Sequence, residues 1–172
     1  VLSNNIEYFC TVMKIAIGSD ERTNLTDRVV EELKQRGYEV MLFGSLAEND
    51  LEVDWPLSCS KVALTVATQK ADEGIVFCWT GTGASIAANK VSGIRAALCH
   101  DAETARGARI WNHANVLVLS LRATTEAIAK EILDAWFSTP YSEDEWNLLQ
   151  MERIRQLEKT ALFQQSQTTE GN

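Results

Sequence analysis

From Met13 onward, short runs of apolar and β-branched residues alternate with longer stretches in which apolar positions recur every three or four residues. The short runs predict buried strands, the longer ones amphipathic helices, and their alternation predicts parallel βαβ units. Strands are expected at Lys14–Gly18, Glu39–Phe43, Gly74–Trp79, Arg95–His100 and Val116–Leu121, enough for a five-stranded sheet. Helices are expected at Leu25–Arg36, Pro56–Ala71, Gly83–Val91, Ala102–Asn112 and Thr124–Ser138. Gly37 closes the first of these, and Pro56 suits the first turn of the second because its missing N–H costs nothing there. A last amphipathic segment, about Ser142–Leu162, carries Trp146, Leu149, Ile154 and Leu157 among many charges, and can pack on the domain or on a second subunit.

A chain of 172 residues has room for one α/β domain with a proper core. Its composition, 45% hydrophobic and 23% charged, contains no run long enough to span a bilayer, so a membrane role is not expected. The net charge of −8 argues against a nucleic-acid partner, which would call for clustered Lys and Arg. Any anionic substrate must then be held by local features such as oriented backbone amides. Cys10, Cys59, Cys78 and Cys99 form no C-x-x-C pair, and His100 and His113 are the only histidines. Neither a metal site nor a disulfide framework is expected, and free thiols suit a reducing cytoplasm. Residues 1–12 lack the basic start and apolar run of a secretory signal and read as an extension ahead of a domain over 13–162. Residues 163–172 are too polar to order themselves and are expected to form a disordered tail.

In an open parallel sheet, ligands bind beyond the carboxyl ends of the strands. The residues expected there are Ser19, Asp20 and Glu21, then Cys78 through Ser85, then His100 and Asp101. The segment Cys78-Trp79-Thr80-Gly81-Thr82-Gly83-Ala84-Ser85 runs from a strand through two glycines into a helix. Gly81 and Gly83 allow close backbone approach, so that successive N–H groups can face one oxyanion, as on an enediolate. A cysteine at the lip of such a loop has its thiolate form favoured and can accept a proton, although a small core residue at a strand end would look the same in sequence. Gly81-x-Gly83 followed by Asp101 also matches part of a dinucleotide fingerprint, but Ile86 occupies the sixth position and the loop follows the third strand instead of the first.

Cys78-x-Thr80-Gly81-x-Gly83-x-Ser85-Ile86-Ala87-Ala88-Asn89-Lys90, followed by Gly93-Ile94-Arg95-Ala96, resembles ribose-5-phosphate isomerase B and its galactose-6-phosphate isomerase relatives. The likeness runs from about Met13 to Tyr141 and includes Gly18-x-Asp20, Asp54-Trp55-Pro56, Asn112, Asn115-Val116-Leu117 and Ala135-Trp136. It implies a flavodoxin-like, three-layer α/β/α sandwich with an extra C-terminal helix, a homodimer or homotetramer, and active sites between subunits. It also implies a small-molecule sugar-phosphate substrate and no cofactor or metal. Cys78 would move a proton between C1 and C2 of the open-chain sugar, Thr80 would assist at the oxygens, and the amides of Gly81, Thr82, Gly83, Ala84 and Ser85 would hold the enediolate. Asp20 would orient a hydroxyl or relay a proton, although it could equally cap the following helix.

Several family positions are occupied differently here. A histidine that follows the first-strand aspartate is Glu21, another before Asn112 is Trp111, and two phosphate-binding arginines of the last helix fall at Glu145 and Leu149. A different phosphate grip is therefore expected from among Arg22, Arg106, Arg109, Arg122, Arg153 and Arg155, with Arg22 and Arg109 preferred because they are expected near strand ends. His100 or His113 could take over ring opening. Trp55, Trp79 and Trp111 could wall the pocket or anchor an interface, whereas Trp136 has the spacing of a core residue. A sugar needing no ring opening, such as a four-carbon sugar phosphate, and a non-catalytic sugar-phosphate or nucleotide binding protein are the alternatives.

Overall fold

The computed structural model describes residues 12–169. Residues 1–11 of the expected extension and 170–172 of the expected tail lie outside the described residues. In chain order the elements are β1 (Lys14–Ser19), α1 (Asn24–Gln35), β2 (Glu39–Gly44), α2 (Trp55–Ala67), β3 (Glu73–Cys78), α3 (Thr82–Ala88), β4 (Ala96–Leu98), α4 (Ala102–Asn112), β5 (Val116–Ser120), α5 (Glu126–Ser138) and α6 (Glu145–Thr169). No helix among the described residues is long and apolar enough to cross a membrane.

Strand alternation divides the core in two. Ile15, Ile17, Ile75, Phe77, Leu117 and Leu119 face α1, α4 and α5 around the fully buried Trp136. Their neighbours Ala16, Val76, Cys78, Val116 and Val118 face α2 and α3. This is the three-layer sandwich, with both faces of a parallel sheet covered. The second face is lined with small residues, which lets α2 approach closely. A Cβ on Gly74 would stand 2.8 Å from Val62 Cγ1, and one on Gly18 would stand 2.8 Å from Val62 Cγ2. In the first turns of α2, Ser58 sits against the ends of β1 and β2, its carbonyl 3.2 Å from where a Cβ on Gly18 would stand and its Cβ 2.6 Å from one on Gly44.

All strand pairs are parallel, in the order β2-β1-β3-β5-β4. A flavodoxin order would place β4 beside β3 and β5 at the edge, so the last two strands are exchanged relative to that expectation. Burial explains the exchange. The run Val116-Leu117-Val118-Leu119-Ser120 is buried throughout and needs neighbours on both sides, whereas the three residues of β4 are each only partly buried and suit a short edge.

Helix limits moved where side chains or left-handed residues intervene. Gln69, at φ 58°, terminates the turn beyond α2, short of the expected Ala71. Asn89 ends α3 because its amide binds the backbone of Ala96 twice, as donor to the carbonyl and as acceptor from the N–H, each at 2.9 Å. The last helix continues to Thr169, so residues 163–169 are helical and not the tail expected there.

The β2–α2 connection is tied by Asp50, whose carboxylate accepts from the Gly44 N–H at 2.9 Å and from Lys61 Nζ at 2.6 Å. Lys61 first, and then the Gly44 N–H, hold the Asp50 carboxyl down at about 2. A depressed folded-state pKa means stabilisation that is present above the unfolded value of 3.8 and lost as pH falls toward about 2. Asp50→Asn is accordingly expected to lose less of its urea midpoint than the unsubstituted chain across that window; an equal loss would assign the acid sensitivity to other carboxylates.

Candidate active site

The carboxyl ends of β1 and β3 lie side by side, and Cys78 is the last residue of β3. Its side chain points to the α2 and α3 face, is 6% exposed, and has its Sγ 3.4 Å from the Ala84 N–H, which donates to it. The chain then turns on a bond from the Gly81 N–H to the Cys78 carbonyl at 3.2 Å. Gly81 caps α3 in the left-handed conformation at φ 80°, which an L side chain would strain. A Cβ there would also stand 2.5 Å from Leu98 Cδ1. Thr82 and Gly83 form the first turn of α3, where N–H groups have no carbonyl to reach within the helix. Thr80 Oγ1 and Thr82 Oγ1 share a hydrogen bond of 2.7 Å at the exposed rim. The ring of Trp55 covers Gly83 closely enough that a Cβ on this glycine would lie 3.1 Å from Trp55 Cε3.

Asp20 leaves β1 at the same edge. Ser19 Oγ donates to the Glu21 carbonyl at 2.6 Å and accepts from its N–H at 3.2 Å, while Ser45 Oγ donates to the Asp20 carbonyl at 2.7 Å. These bonds fix the turn and leave Asp20 Oδ1 buried without a hydrogen-bond partner among the described residues. Burial raises the Asp20 carboxyl above its ordinary value, and the charge of Glu21 adds to this against a backbone hydrogen bond that lowers it. Cys59 on α2 is fully buried; burial, and after it the nearby Cys78 and Asp20, push its thiol up to about 12. Burial does the same to Cys99. Among the described residues no group of three or more His, Cys, Asp or Glu could hold a metal ion.

Asp20, Glu21, Cys78, Thr80 and the loop from Gly81 to Ser85 thus share one edge of the sheet. Arg22 is there too, exposed and paired with Asp27 at 2.8 Å. Arg109 is not, and its expected role as a substrate ligand is corrected. It is 9% exposed, donates to Glu73 Oε1 at 2.8 Å, to the Ala114 carbonyl at 2.8 Å and to Tyr141 Oη at 2.9 Å. Glu73 begins β3, so Arg109 is buried at the amino end of the strands. The reason is direction: α4 starts beyond the carboxyl end of β4 and returns antiparallel to it, carrying Arg109, Trp111 and Asn112 away from Cys78. Trp111 is 58% exposed at that far edge, packed on Gly107, where a Cβ would meet its Cζ3 at 2.8 Å. His113 is also there, its ring stacked on Tyr141 at 4.7 Å and its Nε2 2.8 Å from the Ser142 carbonyl, while His100 is exposed beyond β4.

One residue at the Cys78 edge escapes a reading by sequence. Ser58 is fully buried with an unpartnered Oγ, and its Cβ would lie 2.6 Å from a Cβ on Gly44; one serine in a helical run carries no signal. Arg122 follows β5 with its N–H donating to the Trp79 carbonyl at 3.0 Å, and it stands in no ion pair among the described residues. Placing β5 beside β3 is what brings it to the loop.

A family model described as Ribose/Galactose Isomerase matches residues 15–156. A ribose-5-P isomerase B from Listeria innocua is 40% identical over 131 residues, which cover 76% of this chain and 87% of that protein. A D-erythrulose-4-phosphate isomerase from Pectobacterium atrosepticum is 36% identical over 133 residues, 76% of this chain and 86% of that one. Among solved structures, Clostridium thermocellum ribose-5-phosphate isomerase B superposes with a TM-score of 0.79 at 40% identity, over 87% of this chain and 99% of the other.

Proposed function

This chain belongs to the ribose/galactose isomerase family and is a sugar-phosphate aldose–ketose isomerase, and we propose that Cys78 moves its proton. The substrate pair is of the ribose 5-phosphate and ribulose 5-phosphate type. In the aldose direction the Cys78 thiolate takes the proton from C2 of the open-chain sugar, the electron pair enters the C1–C2 bond, and O1 becomes an oxyanion. A proton then passes from O2 to O1, and the Cys78 thiol returns its proton to C1 as the C2 carbonyl forms.

The observation that carries this reading is the position of Cys78 Sγ at the mouth of the loop, against the Ala84 N–H and beside the first-turn amides of α3. Such donors act where negative charge develops, here on O1 and O2. The Thr80 and Thr82 hydroxyls, already sharing one hydrogen bond, support proton movement between the two oxygens. Asp20, with its pKa raised by burial, suits proton exchange at a substrate hydroxyl. Arg22 and Arg122 are the cations on this edge suited to the phosphate.

Trp111 and Asn112 can reach a site at this edge only from a second copy, so the proposal includes a homodimer or homotetramer with sites between subunits. Free thiols at Cys59, Cys78 and Cys99 support a cytoplasmic setting. A second reading, a four-carbon substrate, is favoured by the commitment of the His113 ring to Tyr141 and Ser142. A sugar phosphorylated on O4 cannot close a five-membered ring through that oxygen and needs no ring-opening imidazole.

Solvent-deuterium incorporation into four-, five- and six-carbon aldose and ketose phosphates separates these readings. Label at C1 or C2 of a pentose phosphate supports the first, and label confined to the tetrose phosphates supports the second. Binding without exchange in any member would make the protein a sugar-phosphate binder.

A further inference from the structure

Hydroxyl side chains along α2 satisfy themselves, with one exception. Ser60 Oγ donates back to the Leu57 carbonyl at 3.0 Å, Thr65 Oγ1 to the Lys61 carbonyl at 2.8 Å, and Thr68 Oγ1, at the end of the helix, to the Leu64 carbonyl at 2.7 Å. That return bond is the ordinary one for serine and threonine in a helix. Ser58 forgoes it: the residue is fully buried and its Oγ has no hydrogen-bond partner among the described residues. Its side chain is turned to the sheet. Its Cβ lies 2.6 Å from the place a Cβ on Gly44 would take, and the same place is 2.4 Å from the Ser19 carbonyl oxygen. An unpaired buried hydroxyl is costly, and each one in a folded protein calls for a reason.

Asp20 follows Ser19 directly. Four buried side-chain polar atoms lack a partner among the described residues, and two of them, Ser58 Oγ and Asp20 Oδ1, belong to this end of β1 and β2. One is a hydroxyl able to donate; the other is an acceptor once the carboxyl is ionised. Cys59, adjoining Ser58, responds to both: burial raises its thiol most, the Ser58 hydroxyl acts against that rise, and the charges of Cys78 and Asp20 add to it. The titratable groups around Asp20 are thus Glu21 on its own turn, Cys59 on α2 and Cys78 at the end of β3. The cations nearby are committed elsewhere, Arg22 to Asp27 and Lys61 to Asp50 and Glu52. No ion pair among the described residues includes Asp20, so a neutral donor is what its ionised form has to draw on.

We propose that Ser58 is a positioning residue for Asp20, its hydroxyl donating to Oδ1, directly or across one water molecule, and holding the carboxylate toward the substrate hydroxyl. The role rests on the isomerase reading above, in which Asp20 exchanges a proton with that hydroxyl. Ser58 itself touches no substrate.

The test follows the Asp20 carboxyl by carbon-13 NMR in the full chain, its resonance identified by its loss in Asp20→Asn, together with deuterium exchange into the sugar phosphate across pH. Ser58→Ala removes only the oxygen. Loss of a donor to the ionised form raises a carboxyl, so the Asp20 midpoint is expected to move up by about one pH unit, and the acid limb of the exchange rate with it. At neutral pH kcat should fall about tenfold with KM nearly unchanged. Removing an unpartnered hydroxyl should leave the urea midpoint unchanged or raised, which separates lost activity from lost fold. Beside Asp20→Asn, the same substitution should change exchange by less than about twofold, because its effect passes through the carboxylate. A hydroxyl of structural value alone leaves the carboxyl where it is. A shift below about 0.3 unit, or a tenfold loss that persists beside Asp20→Asn, overturns the pairing. Absence of exchange in every sugar phosphate overturns the isomerase reading alone, because the carboxyl titration does not depend on turnover.

Discussion

Replacing Cys78 by alanine is expected to slow hydrogen exchange at C1 and C2 by about a thousandfold or more, the contribution of a positioned proton-transfer group. The loss should fall on kcat with KM nearly unchanged, because the thiol acts on the reacting carbon and holds no other part of the substrate. Cys78→Ser is the sharper variant. It preserves the size of the side chain and its acceptor for the Ala84 N–H, yet a hydroxyl is a far weaker carbon base near neutrality, so its activity should be as low as that of alanine. Cys59→Ala is the matched control: its thiol, pushed up to about 12 by burial, stays protonated at working pH, and activity should survive. Retention of more than about a tenth of the exchange rate in Cys78→Ala would transfer the base role to another group, with Asp20 the nearest alternative on the same edge.

The second large effect is on stability. Glu73 is 6% exposed; one oxygen takes the Arg109 guanidinium at 2.8 Å and the other accepts the Trp136 indole N–H. Arg109 also lies over the rings of Trp136 at 5.0 Å and Tyr141 at 4.3 Å. Glu73→Leu leaves that guanidinium buried without its counter-charge, and a loss of about 3–5 kcal/mol in urea unfolding is expected. The double change Glu73→Leu with Arg109→Met removes both charges and should recover most of the loss, since a buried pair is worth little more than a packed apolar pair. The same double variant examines function. Arg109 serves the fold, so KM should stay unchanged, whereas a raised KM with unchanged stability would restore it as a phosphate ligand. The cluster also seats Tyr141 against His113, and thereby the entry into α6.

Elements whose instructions are local were legible in the sequence. Ala102–Asn112 has the bounds its pattern predicts because both ends are marked nearby, by Asp101 accepting from the Thr104 N–H at 2.7 Å and by the left-handed turn at His113. The loop from Cys78 to Ser85 was legible for a similar reason, since two glycines between a strand and a helix leave the backbone few other courses. Arg22 and Arg109 looked equivalent because each is an arginine near the end of a predicted element. What separated them was Glu73 and Trp136, remote in sequence and brought in by β3 and α5. Likewise, no local signal tells that the run of α4 carries Trp111 and Asn112 to the edge opposite Cys78, so that within one chain they stand apart from the loop.

By itself, then, the sequence determined the periodicities, the caps and the chemistry of the Cys78 loop, all of which are set by neighbours along the chain. The tertiary structure alone decided that β5 lies inside β4, that Arg109 is spent on Glu73, and that Arg122 stands at the loop. Those outcomes depend on which surfaces must be buried together, and burial is a property of the packed whole.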